Sequence, residues 1–316
     1  MSVTAIILAA GKGTRMKSAR PKVLHDVCGQ PMLAHVMNAC RDAGCDKLIC
    51  VIGFGADQIR AAFPDAADTV WVEQTQQLGT GHAVMVCGDH LAKLTGAVLV
   101  VAGDGPLIQG ATLKELLAAH RANGAACTLA TCILDDPMAY GRIVRNDKGD
   151  MLSIVEHLDA SDAQRRIKEV NVSLYCFDAK RLREALSRLT NDNAKGEYYL
   201  TDALGLLRDA GHALAAVPAV PPREVLSIND RVQLAQVNAL FQERVKEALM
   251  LSGVTIQQPE TTWIDPRATV GPETVIRPNT VIDGASRVGS RCVVGPFVHL
   301  CNAQVADNTT VEHTHG

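Results

Sequence analysis

Over roughly the first 125 residues, short, mostly apolar runs alternate with stretches whose apolar residues recur every three or four positions. Thr4–Ala9, Lys47–Gly53, Thr69–Glu73 and Ala97–Ala102 are runs of the first kind and predict strands. Met32, Leu33, Val36, Met37 and Cys40 share one face of a predicted helix. After the fourth strand, Thr112-x-x-Glu115 reads as a capping box opening another helix. Strands with no polar side are buried on both faces, and strands separated by helices imply crossovers. Together they predict an α/β domain with a mostly parallel sheet covered by helices.

From Ala125 to Phe177 the chain becomes β-rich, with Asn146-Asp147-Lys148-Gly149 as a hairpin loop. Helices return over 179–189 and 202–210, a surface connection follows at Pro218–Pro222, and 230–251 reads as a long amphipathic connector. Beyond it an aliphatic or small residue recurs every six positions, at Ile264, Val270, Ile276, Ile282, Val288, Val294, Leu300 and Ala306. Small residues stand two places earlier at Ala268, Thr274, Thr280, Ser286 and Cys292. A six-residue period with one inward aliphatic per step is the pattern of a parallel β-helix. So short a coil needs a cap or a partner at its end, which predicts a homo-oligomer. The divisions are 1–228 for the α/β domain, 229–252 for the connecting helix and 253–316 for the repeat.

Composition narrows the function classes. The chain has 316 residues, 47% hydrophobic and 21% charged, with a formal net charge of -3. That balance excludes wholesale disorder and argues against a general nucleic-acid binder. An aromatic share of 3% speaks against base-stacking and membrane-belt surfaces. No apolar stretch has transmembrane length, and the N-terminus lacks the pattern of a signal peptide. The ten cysteines sit singly in apolar runs without C-x-x-C spacing, so they read as small buried hydrophobes of a reducing cytoplasm.

Two turns carry the candidate chemistry. Leu8-Ala9-Ala10-Gly11-Lys12-Gly13-Thr14-Arg15-Met16 follows the first strand directly. A glycine loop leaving a parallel strand offers backbone N–H groups to an anion, and Arg15 and Lys22 add positive charge nearby. The spacing is that of neither a P-loop nor a dinucleotide fingerprint, so a triphosphate site of another kind is expected. Gly103-Asp104-Gly105-Pro106-Leu107 ends the fourth strand at the same sheet edge, where open α/β sheets bind ligands. A carboxylate beside phosphates suits Mg²⁺. His82 reads as structural, and His313 and His315 as part of a solvated tail.

These motifs, with QTQQLGTGHA (74–83), AYGRIVR (139–145), IVEHLDA (154–160), EVNVSLY (169–175), NAKGEYYLTD (193–202) and SIND (227–230), resemble those of the bacterial N-acetylglucosamine-1-phosphate uridylyltransferases. In that family the domain is the N-terminal half of an enzyme that also acetylates glucosamine-1-phosphate. The resemblance spans nearly the whole chain. It implies a Rossmann-like nucleotidyltransferase domain and a left-handed parallel β-helix of hexapeptide repeats. It implies that Leu8, Ala9, Ala10 and Gly11 hold uridine and phosphate, that Gln74 reads the uracil edge, and that Gly79 and Thr80 close on the base. Arg15, Lys22 and Asp104 become catalytic, Asp104 and Asn229 the Mg²⁺ ligands, and Gly141, Glu156, Asn171, Tyr199 and Thr201 the sugar site. The implied partners are UTP and a sugar-1-phosphate, together with copies of the same chain in a trimer.

Several positions depart from the family pattern, among them Val172 in place of the threonine of Asn-Thr-Gly. Ala102 replaces a tyrosine, Ala139 a glycine, Ser173 the glycine of Asn-Thr-Gly, and Ser227 a glycine before the asparagine. A lost glycine restricts the backbone where a ligand approaches, and most of these positions surround the expected sugar pocket. A uridylyltransferase for another sugar-1-phosphate and a non-catalytic UDP-sugar sensor therefore remain alternatives. Because the repeat runs only to Gly316, acetyltransferase activity is expected to be absent.

Overall fold

The computed structural model describes residues 2–193 and 195–312. His313 and His315 lie outside the described residues. Two compact units emerge. One takes the chain up to His25 and again Met32–Asp230, the other Asp26–Pro31 and the chain from Arg231 onward.

The first unit is built on a nine-stranded sheet. Strands β1 (Val3–Ala9), β2 (Lys47–Ile52), β3 (Thr69–Glu73) and β4 (Ala97–Ala102) are parallel in the order β3-β2-β1-β4. Beyond β4 the sheet turns mixed. Of β5 (Cys127–Ile133), β6 (Arg142–Arg145), β7 (Met151–Val155), β8 (Glu169–Asp178) and β9 (Leu214–Val217), β8 lies antiparallel between β4 and β5. β9 runs parallel on β5, while β6 pairs with β8 and, through the Asn146–Gly149 turn, with β7.

Strands β1, β2 and β4 are buried on both sides, while the edge strand β3 is half-buried. Ile6, Ile49, Val98 and Val100 join one core cluster with α2 (Thr80–Met85), α4 (Ala179–Leu186) and α5 (Asp202–Asp209). Their alternating neighbours Ala5, Ile7, Leu48, Cys50 and Leu99 are as deeply buried on the opposite face. Helix α1 (Met32–Asp42) buries the five residues its spacing singled out, and packs on α3 (Gly110–Asn123). Among the described residues no helix is long and apolar enough to cross a membrane.

Helix α3 corrects one expectation. It begins at Gly110 with Gln109 as N-cap, and no side chain of its own caps it. Thr112 Oγ1 instead donates to the buried carboxylate of Glu224, 2.8 Å away. The same carboxylate accepts from Gln109 N at 3.1 Å and Gln109 Nε2 at 2.6 Å. A distant acid has taken the place of the local box, because one carboxylate satisfies several donors of the first turn and suits the positive helix end.

The second unit holds α6 (Arg231–Leu251) and the repeat. Short strands stack in three parallel ladders, for example Trp263–Ile264 on Val281–Asp283 on His299–Cys301. Ile264, Ile276, Ile282, Val288, Val294 and Leu300 form the inner column. Thr280 and Ser286 are fully buried at the corners, and their hydroxyls donate to the carbonyls of Arg277 and Asp283. That satisfies groups which would otherwise be costly inside.

The six-residue phase breaks once. Three residues (284–286) separate Asp283 from Arg287, but only two (302–303) separate their ladder partners Cys301 and Gln304. The shorter corner brings Val305 onto Val288, so Val305 takes the inward place expected for Ala306, which is exposed. Asp26–Pro31 packs with this unit: Cys28 N donates to Asn238 Oδ1 of α6 at 2.8 Å. Buried Gln242 fastens α6 to the first coil, donating to Ile264 O at 2.7 Å and accepting from Ile264 N at 3.0 Å. Nine cysteines are buried as expected, but Cys301 is exposed, since it follows inward Leu300 on its strand and points outward.

Candidate active site

Leu8 of β1 and Ala102 of β4 are register partners, so the glycine loop and the Gly103-Asp104 turn leave the sheet side by side. Gly103 N donates to Leu8 O at 2.9 Å and ties the two exits together. Lys22 opens a tight turn over Lys22–Leu24, closed by Leu24 N on Pro21 O at 3.0 Å. Gly13 has φ of 60°, and a Cβ there would lie 2.7 Å from Lys22 Cβ. Only glycine lets the loop and Lys22 approach so closely.

Lys22 Nζ reaches Asp104 Oδ2 at 2.6 Å and Asn229 Oδ1 at 3.3 Å. The Lys22 and Asp104 side chains are only 12% and 23% exposed, so the charges interact with limited screening. Asn229 is held there by its neighbour, since Ile228 N donates to Asp104 O at 2.9 Å and Ile228 is fully buried. Upstream, Glu224 anchors the same segment to α3, and the Tyr140 hydroxyl donates to Val225 O at 3.1 Å. Burial pushes the Tyr140 phenol up, which keeps that donor protonated. Arg15 is exposed, and among the described residues no hydrogen bond or ion pair joins it to Asp104 or Asn229.

The turn after β3 is the third wall. Gln74 is buried, and its Nε2 donates to Gly79 O at 3.1 Å and lies 2.9 Å from His82 Nδ1. Gly79 has φ of 101°, and a Cβ there would lie 2.5 Å from Tyr198 O. Thr80 Oγ1 accepts from Leu200 N at 3.1 Å, so 78–81 is stitched to 198–200. A pocket of about 350 Å³ lined by Lys12, Gly53, Phe54, Gln74 and Gln77 opens beside the loop.

Gly141, Glu156 and Asn171 also come together. Asn171 N donates to Gly141 O at 2.8 Å, and a Cβ on Gly141 would lie 3.5 Å from each Glu156 carboxylate oxygen. Asn171 Nδ2 donates to the buried Tyr175 hydroxyl at 2.9 Å. Ser173, one of the lost glycines, sits at φ of 57° in the bulge that follows. It retains the left-handed conformation a glycine would adopt freely. Tyr199 and Thr201 lie in the turn before α5, and among the described residues no hydrogen bond links them to those three. Burial pushes the thiols of Cys50 and Cys87 up to about 12, which favours their protonated form. The Glu224 anchor and the His82–Gln74 contact escaped the sequence reading, because neither follows a local spacing.

The model of the MobA-like NTP transferase domain matches residues 5–204. The Bifunctional protein GlmU of Heliobacterium modesticaldum is 44% identical over 311 residues, covering 98% of this chain and 68% of the relative. That of a Geobacillus species is 45% identical over 310 residues, 98% of this chain and 67% of the relative. In fold, the chain is similar to a Bacillus anthracis protein assigned as a glucose-1-phosphate thymidylyltransferase. The TM-score is 0.63 at 18% identity, over 76% of this chain and 95% of that one.

Proposed function

The chain belongs to the GlmU family and is a nucleotidyltransferase, and on that footing we propose that it transfers UMP from UTP to N-acetylglucosamine-1-phosphate. The products are UDP-N-acetylglucosamine and pyrophosphate. The observation that carries this reading is the meeting of Lys22 Nζ with Asp104 and Asn229 beside the glycine loop, 2.6 and 3.3 Å apart. Two hard oxygens already converge on one cation there. Among the described residues there is no cluster of three or more His, Cys, Asp and Glu. A donor set of one carboxylate and one amide oxygen, completed by phosphates and water, fits Mg²⁺ better than a caged metal. Asp104 and Asn229 would hold the ion, and when bound it supplies charge neutralisation on the triphosphate.

A sugar-phosphate oxygen is already a nucleophile, so the protein's task is alignment and charge stabilisation. The backbone N–H groups of Leu8–Gly11 receive the phosphates, and Gln74, Gly79 and Thr80 hold the base. Lys22 and Arg15 neutralise the charge that builds as the sugar phosphate displaces pyrophosphate from the α-phosphorus. Gly141, Glu156 and Asn171, with Tyr199 and Thr201, hold the amino sugar in line. We keep 1–228, 229–252 and 253–316 as the working division, with assembly as a trimer through the repeat, where Phe297 is 63% exposed. The reading also places the chain in the cytoplasm.

Pyrophosphate release across a panel of nucleoside triphosphates and sugar-1-phosphates tests the reading. UTP with N-acetylglucosamine-1-phosphate is expected to give the highest kcat/KM. Another pair turning over as well or better would overturn the substrate assignment.

A further inference from the structure

We propose that His82 is a positioning residue for nucleobase choice: its Nδ1 holds the Gln74 amide so that Oε1, an acceptor, faces the base. The inference rests on the assignment of Gln74 to the nucleobase and says how that residue would discriminate. Gln74 has two chemically opposite ends, and swapping them would present a donor where an acceptor stood. A carbonyl oxygen only accepts, so the end facing Gly79 O at 3.1 Å is Nε2. The second Nε2 hydrogen points at His82 Nδ1, 2.9 Å away. His82 Nδ1 is then the acceptor and the imidazole proton sits on Nε2.

Both hydrogens of the amide are thereby used inside the protein. Oε1 has no partner among the described residues, although Gln74 is only 3% exposed. Of the pyrimidines, uracil carries N3–H, a donor that Oε1 accepts, whereas cytosine carries a bare N3 that would face it lone pair to lone pair. A buried polar group left facing its own kind is the stronger discriminator.

The imidazole is itself held. It stacks on the Tyr198 ring at 6.3 Å between centroids and 29° between planes. Gly81 N donates to Tyr198 O at 2.8 Å, and Tyr198 N to Leu78 O at 2.8 Å, clamping the segments that carry the two rings.

Calorimetric binding of UTP and of CTP, without sugar phosphate, tests this through the ratio of the two Kd values. The wild type is expected to favour UTP. His82→Phe keeps a ring against Tyr198 but offers no acceptor, and is expected to reduce the preference about tenfold, the worth of one hydrogen bond. His82→Asn carries an oxygen on Cγ where the imidazole carries Nδ1, and is expected to restore the preference. An unchanged ratio in His82→Phe, or an equal loss in both variants, would overturn the proposal while leaving the nucleotide assignment standing. A wild type that binds neither nucleotide would overturn that assignment and the inference with it. Should His82→Phe fail to fold, the ¹⁵N shifts of wild-type His82 decide. A proton on Nε2 supports the proposal, and a proton on Nδ1 overturns it.

Discussion

Removing the Glu224 carboxylate is the most exacting test of how the candidate site is supported. Glu224 is 4% exposed and accepts from Gln109 N, Gln109 Nε2 and Thr112 Oγ1 at 3.1, 2.6 and 2.8 Å. Glu224→Ala strands the Gln109 amide N–H and the buried Thr112 hydroxyl, each costing about 1–3 kcal/mol. It also removes a negative charge from the positive end of α3, for roughly 0.5–1 kcal/mol more. The Gln109 side chain can turn toward water, so the net loss is set at about 3–4 kcal/mol. For a unit of this size that lowers Tm by roughly 10 °C. Glu224→Gln keeps one acceptor oxygen, and Gln109 can flip its own amide to meet the new NH₂, so about 1–2 kcal/mol is expected. Thermal and urea unfolding followed by circular dichroism measure both. A Glu224→Ala shift within roughly 3 °C of wild type, or a Gln variant worse than the Ala variant, would refute the anchoring role.

Gly141→Ala would set a methyl 3.0 Å from Ile154 Cγ2 and beside the Glu156 carboxylate; kinetics should show KM for the sugar-1-phosphate rising about tenfold or more while KM for UTP holds. Gly13→Ala meets both a φ of 60° and a clash with Lys22 Cβ, so kcat/KM should fall at least about tenfold with the circular dichroism spectrum kept. Stability should also fall in acid. Hydrogen bonds from Arg41 hold the Asp68 carboxyl below the usual carboxylate range; burial alone would raise Glu169, but hydrogen bonds from Arg145 and Thr131 more than offset it and leave it lowered. A carboxyl depressed in the folded state contributes stability in full above its unfolded value near 4 and loses it as pH drops through the folded value. Urea midpoints should therefore be level near neutrality and decline below about pH 4–5, and Asp68→Asn should flatten that decline.

The elements whose cause is local were legible. Mostly apolar runs became the parallel strands, α1 buries the face its spacing named, and the six-residue column holds from Ile264 to Leu300. What escaped depends on distant partners. Thr112 and Glu115 have the spacing of a capping box, yet an acid more than a hundred residues away satisfies that helix end. A strict period puts Ala306 in phase, because it carries no record of one short corner. Asp26–Pro31 follows the first loop in sequence but packs with α6, which no local pattern announces. At the candidate site, a sheet of order β3-β2-β1-β4 sends the β1 and β4 loops to one edge, so the strand ends were readable. The side-chain atoms that meet there were not, since Lys22, Asp104 and Asn229 lie on three separate segments. His82 reads as structural in the sequence, and its 2.9 Å contact with Gln74 follows no local spacing.

The most direct measurement is pyrophosphate release from UTP and N-acetylglucosamine-1-phosphate, with Mg²⁺ and with a chelator, in wild type and Asp104→Ala. If one ion and the Lys22 ammonium steady the phosphates at this edge, wild-type turnover stops with chelator and returns with Mg²⁺. The Asp104→Ala protein, folded by circular dichroism, then runs slower by about a hundredfold or more. Turnover indifferent to chelator, or a variant within about tenfold of wild type, would contradict the account.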